Sequence, residues 1–433
     1  MVKVVSWGRL EKHDHKIITL SDSHLFQQLK SHTPGLPFGK GRSYGDVCLN
    51  PSGVLWCTEK LDRFISFNEK TGVLRCQSGI LLRDIQKLIV PRGWILPVTP
   101  GTQFITIGGA IANDVHGKNH HVLGSFGHHI RWLKLVRTDG SIIECGPHSL
   151  SGWFSAVVGG IGLTGVITEV EIQLQRITTQ FVITETIPYT SLEEFFDLAD
   201  ASETEWQYTV SWIDCVFKGK AERGLFMRSN PIELEQALAA IHHKKLITFA
   251  MPSIPIVNKL TLRLFNAAYF HIKKKQSNQN ITHYESCFYP LDGLNQWNRM
   301  YGPRGFFQYQ SVVPREVGYD AIKAMLSEIT CSGEGSFLSV LKTFGSRPSM
   351  GMLSFPMSGV TLALDFPNKG KSTLKLFEKL DAIVREAKGR IYLAKDARMP
   401  QDLFEKGYPR FQEFLKYRDP GMSSALSRRL MGS

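Results

Sequence analysis

The stretch Gly160-Ile161-Gly162-Leu163-Thr164-Gly165 constrains the fold more than any other part of the 433-residue chain. It fits G-x-G-x-x-G, and Glu185 lies downstream about where a ribose-binding acid would be expected. In a dinucleotide-binding βαβ unit that pattern must open a helix, because the pyrophosphate sits on the free N–H groups of the first turn. Here it runs into VITEVEIQL (166–174), β-branched and alternating, which reads as a strand. A nicotinamide-type Rossmann domain is therefore disfavoured. The glycines read instead as a turn whose backbone approaches a ligand or a neighbouring segment.

The remaining N-terminal sequence has the same texture. VLWC (54–57), VLRCQSG (73–79) and KLVRTDGSIIECG (134–146) read as strands, with Asp139-Gly140 as a hairpin turn. LLRDIQKLIVPRG (81–93) has helical spacing and stops near a Pro and a Gly. From about residue 180 helical patterns at 191–202 and 233–245, and a helix near 374, alternate with strands at 207–217 and 360–366. The expected class is α+β.

Composition narrows the function classes. With 42% hydrophobic and 21% charged residues the chain is an ordinary packed globule, not a disordered or coiled-coil one. Seven cysteines, odd in number and never spaced C-x-x-C, argue against a disulfide framework or a zinc ribbon and for a reducing compartment. Neither a signal-type apolar run in the first twenty residues nor a stretch of about 18 apolar residues is found, so a soluble or peripheral protein is expected. A net charge of +12 leaves nucleic acid, an acidic membrane face and an anionic cofactor or substrate all open. From Gln236 to Tyr284 there are seven Lys/Arg and no Asp or Glu, interleaved with apolar pieces. That stretch reads either as a solvated basic loop over a partly buried helix or as a surface for anionic headgroups.

Two further segments carry chemistry. Phe38-Gly39-Lys40-Gly41-Arg42-Ser43-Tyr44-Gly45-Asp46 combines glycines that free a nest of N–H groups with a hydroxyl and two cations, as a phosphate needs. Small residues dominate Gly108 to Ala112, as required where backbone lies flat on a large planar group. Five of the 14 histidines fall between 116 and 129. No Cys or Glu joins them, and a helical ligand pair is doubtful beside Gly117, so no metal is expected. His120, His121, His128 and His129 read as hydrogen-bonded structural residues.

Together GKGRSYGD (39–46), VTPGTQFITIGGAIANDVHGKNHH (98–121) and GGIGLTGVITEVEI (159–172) resemble the FAD-binding domain of the vanillyl-alcohol-oxidase/PCMH-type flavoenzymes. Within that superfamily the chain resembles the decaprenylphosphoryl-β-D-ribose 2′-oxidase group. The similarity continues through 288–314, 337–345, 353–367, 389–399 and 425–430. It implies a two-subdomain FAD-binding domain over 1–179 and an α+β substrate domain with an antiparallel sheet over 180–388. A C-terminal segment, 389–433, would complete the site.

By this resemblance FAD is held by Gly39, Lys40, Gly41, Arg42, Ser43, Tyr44 and Gly45. It is also held by Pro100, Gly101, Thr102, Gly108, Gly109, Ala112, Asn113, His116, Gly117, Asn119 and Ser125, and by Gly162, Gly165, Val166 and Ile167. Many superfamily members bind flavin covalently through a histidine in G-x-G-H-S. Arg42 stands at that place here, which implies non-covalent FAD.

The implied reaction is oxidation of a secondary alcohol. Lys395, Tyr392, His116 and Lys118 are the catalytic candidates, and Tyr44, Lys118, Gln308, Gln310, Lys342 and Thr361 the substrate contacts. Amides suit sugar hydroxyls and a lysine suits a phosphate. Lys395 has the alternative of a surface residue paired with Asp396. Ala363 replaces a cysteine of well-known family members, and Thr361 an asparagine, so pocket shape and thiol reactivity should differ.

The implied substrate is a polyprenyl-phosphoryl-β-D-ribose, oxidised at the 2′-hydroxyl as the first step of epimerisation to the arabinose form in cell-wall glycolipid synthesis. A short-chain reductase would complete the epimerisation. Free sugars, alditols or aldonolactones are the alternative substrates. A nucleic-acid-binding role on a degenerate scaffold is the alternative class, but the chain carries no recognised nucleic-acid module. The expected location is cytoplasmic, peripheral on the inner membrane face through 236–284.

Overall fold

The computed structural model describes residues 1–217, 222–233, 247–248, 256–275 and 278–432. The helical pattern read at 233–245, beyond its first residue, and much of the basic stretch 236–284 lie outside the described residues.

Among the described residues three sheets have four or more strands, beside two two-stranded pairs. The first has the order Val2–Val4, His13–Thr19, Val54–Cys57, Gly35–Phe38, with one antiparallel and two parallel pairings. The second is wholly antiparallel, in the order Phe64–Asn68, Val73–Gln77, Val166–Gln173, Ile130–Val136, Ile142–Cys145. Its central strand is the one that follows the glycine-rich turn. Val170 and Ile172 point inward while Glu169 and Glu171 stay half-exposed, the alternation of a strand with one wet face. The Asp139-Gly140 hairpin forms as read: Gly140 has φ +90°, and its N–H donates to Arg137 O at 3.0 Å. The helix Leu82–Ile89 ends in a short turn at Gly93, φ +77°.

The third sheet has eight antiparallel strands, in the order Asn280–His283, Phe181–Tyr189, Gly224–Pro231, Tyr208–Ile213, Ser339–Phe344, Gly359–Pro367, Phe306–Val313, Arg390–Ile391. Helices Leu192–Ser202, Arg315–Ser332 and Lys371–Glu386 cover one of its faces. Strand periodicity then sorts the side chains. Tyr309, Leu341, Leu362 and Leu364 join the helices in the core, while Gln308, Gln310, Lys342 and Ala363 face the opposite way, into a cavity.

The C-terminal residues join the parts. Arg390–Ile391 pairs with Ser311 and Val312 at the sheet edge. The chain then crosses to the first loop, where Tyr44 N–H donates to Ala394 O at 3.0 Å, and later to the first sheet, where Ser423 N–H donates to Gly35 O at 3.0 Å. Among the described residues no helix is long and apolar enough to cross a membrane.

Candidate active site

A cavity of about 1340 Å³ lies between the glycine-rich loops and the large sheet. Its lining includes Gly39 to Tyr44, Pro100 to Thr102, Gly108, Gly109, Ala112, Asn113, His116 to Asn119, Gly162, Gly165 and Ile167. From the second region it includes Gln308, Gln310, Lys342, Ala363, Tyr392 and Lys395. Residues read from separate parts of the sequence thus meet in one space.

Gly45, Ser125, Val166 and Thr361 do not line it. Gly45 packs against the C-terminal segment: a Cβ there would lie 1.6 Å from Asp396 O. Ser125 Oγ donates to Asp114 Oδ2 at 2.9 Å, behind the loop. Val166 alternates with Ile167 and is fully buried in the core. Thr361 lies beneath Gln310, whose Nε2 approaches its hydroxyl at 3.4 Å.

The small-residue segment is built as a short helix, Ile107–Ala112, whose Thr106 side chain accepts from Gly109 N–H. Ile107, Ala110 and Ile111 bury one side of it, which leaves Gly108, Gly109 and Ala112 toward the cavity. At the first loop Arg42 lies over Trp7, 4.1 Å from its ring centroid, and Gly41 adopts φ +58°. Lys40 is held by Glu59 at 2.6 Å, so part of its charge is already paired.

The opposite wall carries lysine amines. Lys395 Nζ sits 3.6 Å from the centroid of the Tyr44 ring. Burial holds its ammonium well below the usual lysine range, with Asp365 opposing the shift. Asp365 is itself buried and shifted upward by burial; it accepts from Gln308 Nε2 at 2.6 Å and from Tyr301 OH at 3.3 Å. Asp396 is not the partner of Lys395: its Oδ2 accepts from Arg429 at 2.7 Å.

Deeper in, His116 lies between Gln310 Nε2 at 3.1 Å and Lys342 Nζ at 3.0 Å, and Lys342 also donates to Gly117 O. Burial brings Lys342 down to about 7, and Lys118 and Lys395 add to the shift. Burial, then Lys342, push His116 far below the usual histidine range. A neutral imidazole donates at one nitrogen and accepts at the other, so His116 couples the Gln310 amide to the Lys342 amine. Lys118, also lowered by burial, donates to Cys287 O. Tyr392 stacks on Phe355 and donates to Asn113 O at 2.9 Å. The arrangement can hold neutral amines near neutral pH, move a proton between them, and bind an anion once they are charged.

Three of the four neighbouring histidines bond to backbone carbonyls: His121 to Trp206, His128 to Pro348 and His129 to Leu123. His120 instead packs its ring on Phe344, both its nitrogens buried without a hydrogen-bond partner. Among the described residues no three His, Cys, Asp or Glu side chains are grouped so as to hold a metal ion.

Sequence reading missed three residues that organise the site. Asp114 collects Ser125 Oγ, Gly127 N–H at 2.9 Å and Ser354 Oγ. Asp365 stands opposite Gln308 in the strand register. Arg429 ties Asp46 of the first loop to Asp396 beside Lys395. An acid beside the small-residue segment was the one available signal for Asp114; the other two depend on partners remote in sequence.

The cavity wall also carries polar atoms without partners. Asn113 Oδ1, Asn119 Oδ1 and Ser78 Oγ are buried and unbonded, and nothing lies within 4 Å of where a Cβ on Gly101 would be. Unpaired buried polar atoms are costly unless a ligand meets them. With the loop 39–44, they suit a large planar cofactor bearing a diphosphate.

Fold and site define an FAD-dependent oxidoreductase: residues 27–146 match the family described as FAD binding domain. Over 99% of its length the chain is 33% identical to decaprenylphosphoryl-β-D-ribose oxidase of Mycolicibacterium smegmatis, covering 97% of that protein. The chain belongs to the decaprenylphosphoryl-β-D-ribose oxidase family. An uncharacterized Streptomyces coelicolor protein is 29% identical over 81% of this chain and 100% of its own length. L-gulonolactone oxidase of Mus musculus is 27% identical over 39% of this chain and 38% of its own.

Proposed function

We propose that the chain oxidises the 2′-hydroxyl of a polyprenyl-phosphoryl-β-D-ribose-type substrate, as the first half of an epimerisation that a short-chain reductase completes. The observation that carries this reading is the buried, hydrogen-bonded cluster His116, Gln310 and Lys342, with half-buried Lys395 lining the same cavity, which is large enough for a cofactor and a substrate together. The relative named above acts, by its name, on such a ribose lipid.

When bound, FAD supplies the hydride acceptor. Gly39 to Ser43, Asn113 and Asn119 would hold it without a covalent bond, Arg42 having no nucleophilic nitrogen to offer. Lys395, lowered by burial, receives or holds the hydroxyl proton, and Tyr44 beneath it fixes its position. Gln308 and Gln310 orient sugar hydroxyls, while Lys118 and Lys342, when charged, donate to the phosphate. In this reading 1–179 bind the cofactor, 180–388 the substrate, and 389–433 close the site, on a protein working at the cytoplasmic face of a membrane.

The test is anaerobic flavin reduction with a panel of prenyl-phosphoryl pentoses, free pentoses and aldonolactones. Bleaching by a prenyl-phosphoryl ribose alone supports the reading. Bleaching by free sugar or lactone with no gain from the lipid replaces it with a soluble-sugar oxidase.

A further inference from the structure

We propose that helix Lys259–Lys275 seats the protein on an anionic lipid bilayer and guides an apolar chain from that bilayer into the cavity. The second half of the statement rests on the lipid-linked substrate proposed above; the first half stands by itself.

Side chains four apart share a helix face, so this helix resolves into rows. Leu262, Asn266 and Phe270 form the buried row. Phe265, Tyr269 and Lys273 form a second, which lines the cavity. Leu260, Leu264, Ala268 and Ile272 form a third, open to solvent: the leucines are 67% and 64% exposed and Ile272 55%. Lys259, Arg263, His271 and Lys275 form a fourth, alongside the apolar one and also exposed. An ordinary amphipathic helix has one apolar stripe. This one has an apolar row on each side, with cations flanking the outer one.

Two further observations choose the occupant. Of the sixteen large hydrophobic residues exposed among the described residues, Ile256, Leu260, Leu264, Phe265 and Ile272 fall on this helix or at its start. Ile256 and Phe265 are both exposed and part of the cavity lining, so the outer apolar surface is continuous with the cavity mouth. No Asp or Glu occurs from Gln236 to Tyr284, so nothing on this segment repels an anionic headgroup. Apolar residues lying just below the headgroups, with cations beside them, are what an interfacial helix presents. The outer row from Leu260 to Ile272 spans about 18 Å at 1.5 Å per residue, long enough to lie along the bilayer plane.

The experiment uses the FAD-loaded protein and vesicles of phosphatidylcholine with or without about one-third phosphatidylglycerol. The wild type should sediment with the anionic vesicles and release at high salt. Leu260→Asp with Leu264→Asp should weaken that partition at least about tenfold. Arg263→Glu with Lys275→Glu should abolish the preference for the anionic vesicles. Ile142→Asp, at an exposed apolar residue on a distant hairpin, should bind as wild type, and flavin absorbance should be retained in every variant. Wild type that binds neither vesicle, or a leucine variant that binds as well as wild type, overturns the proposal. For the guiding role, prenyl-phosphoryl ribose is presented in vesicles and in detergent. The leucine variant should lose oxidation only in vesicles; equal rates in both presentations overturn that role. Absence of oxidation everywhere, with vesicle binding intact, instead removes the substrate reading and leaves the docking surface standing.

Discussion

Lys395 Nζ lies 3.6 Å from the centroid of the Tyr44 ring, and the backbone joins the two as well, through Tyr44 N–H and Ala394 O. A ring face favours the charged amine, whereas burial favours the neutral one, and burial prevails. The first loop and the C-terminal segment are thus aligned at the atom proposed to handle the substrate's proton.

Lys395→Ala should therefore keep its flavin but lose substrate-driven flavin reduction by roughly a hundredfold or more. Stopped-flow absorbance under nitrogen reads this directly. An undiminished bleaching rate would show that Lys395 only fills space over Tyr44.

Arg429 is the second prediction. It bonds Asp46 through two nitrogens at 3.0 Å and Asp396 at 2.7 Å, and the Asp396 side chain is 2% exposed. Arg429→Ala strands both carboxylates, at a cost of about 3 kcal/mol or more near neutral pH. Burial already shifts Asp46 upward. Without the arginine Asp46 stays above its unfolded-state value with nothing opposing the effect of burial. The deficit should then be small at acid pH, where Asp46 is protonated in both states, and grow as pH rises. Melting temperatures across pH 4 to 8 test the sign; a constant deficit contradicts it.

Gly45→Ala is the third. The added methyl would fall on the Asp396 carbonyl, a backbone atom that cannot rotate aside. A loss of about 3 kcal/mol is expected, since the clash must be relieved by moving a packed segment. That movement also draws Lys395 from Tyr44, so flavin content and bleaching rate should both fall. A variant that melts like wild type would mean the two segments separate freely.

Local pattern and long-range pairing differ in how visible they are in the sequence. The turn at Gly160 to Gly165, the Asp139-Gly140 hairpin and the strand read at 207–217, which forms over Tyr208–Ile213, were legible because each depends on neighbouring residues. The helix Ile107–Ala112 was not: two glycines argue against a helix, and it forms because Thr106 caps it and its apolar side is buried. Lys342, His116 and Gln310 could be named from resemblance, but their contact over more than 190 positions appears only in the fold. Asp365 and Arg429 carried no local signal of their role, since a single charged residue looks alike whether it is solvated or a buried hub, and Asp114 had only its place beside the small-residue segment. The basic stretch was legible as charge, but its division into four rows required the helix phase.

Lys342 gives the last prediction. Its folded-state value is about 7 against an ordinary 10.5, because burial disfavours the ammonium. Below about 7 the group is charged in both states and its burial penalty is felt in full. As pH rises toward 10.5 the folded protein has lost the proton while the unfolded chain still holds it, so stability climbs. The slope from one such group is at most about 1.4 kcal/mol per pH unit. Lys342→Met should flatten the rise: more stable than wild type below neutrality if the packing at Gly117 and His116 is kept, with the advantage shrinking steadily into alkaline solution. His116, freed of a neighbour that lowers it, should also titrate at higher pH in the variant. Denaturant midpoints of the FAD-loaded proteins from about pH 6 to pH 9, with imidazole NMR shifts, measure both. Parallel stability curves would mean that Lys342 keeps its proton in the fold through a counter-charge, and that the cavity wall is permanently cationic.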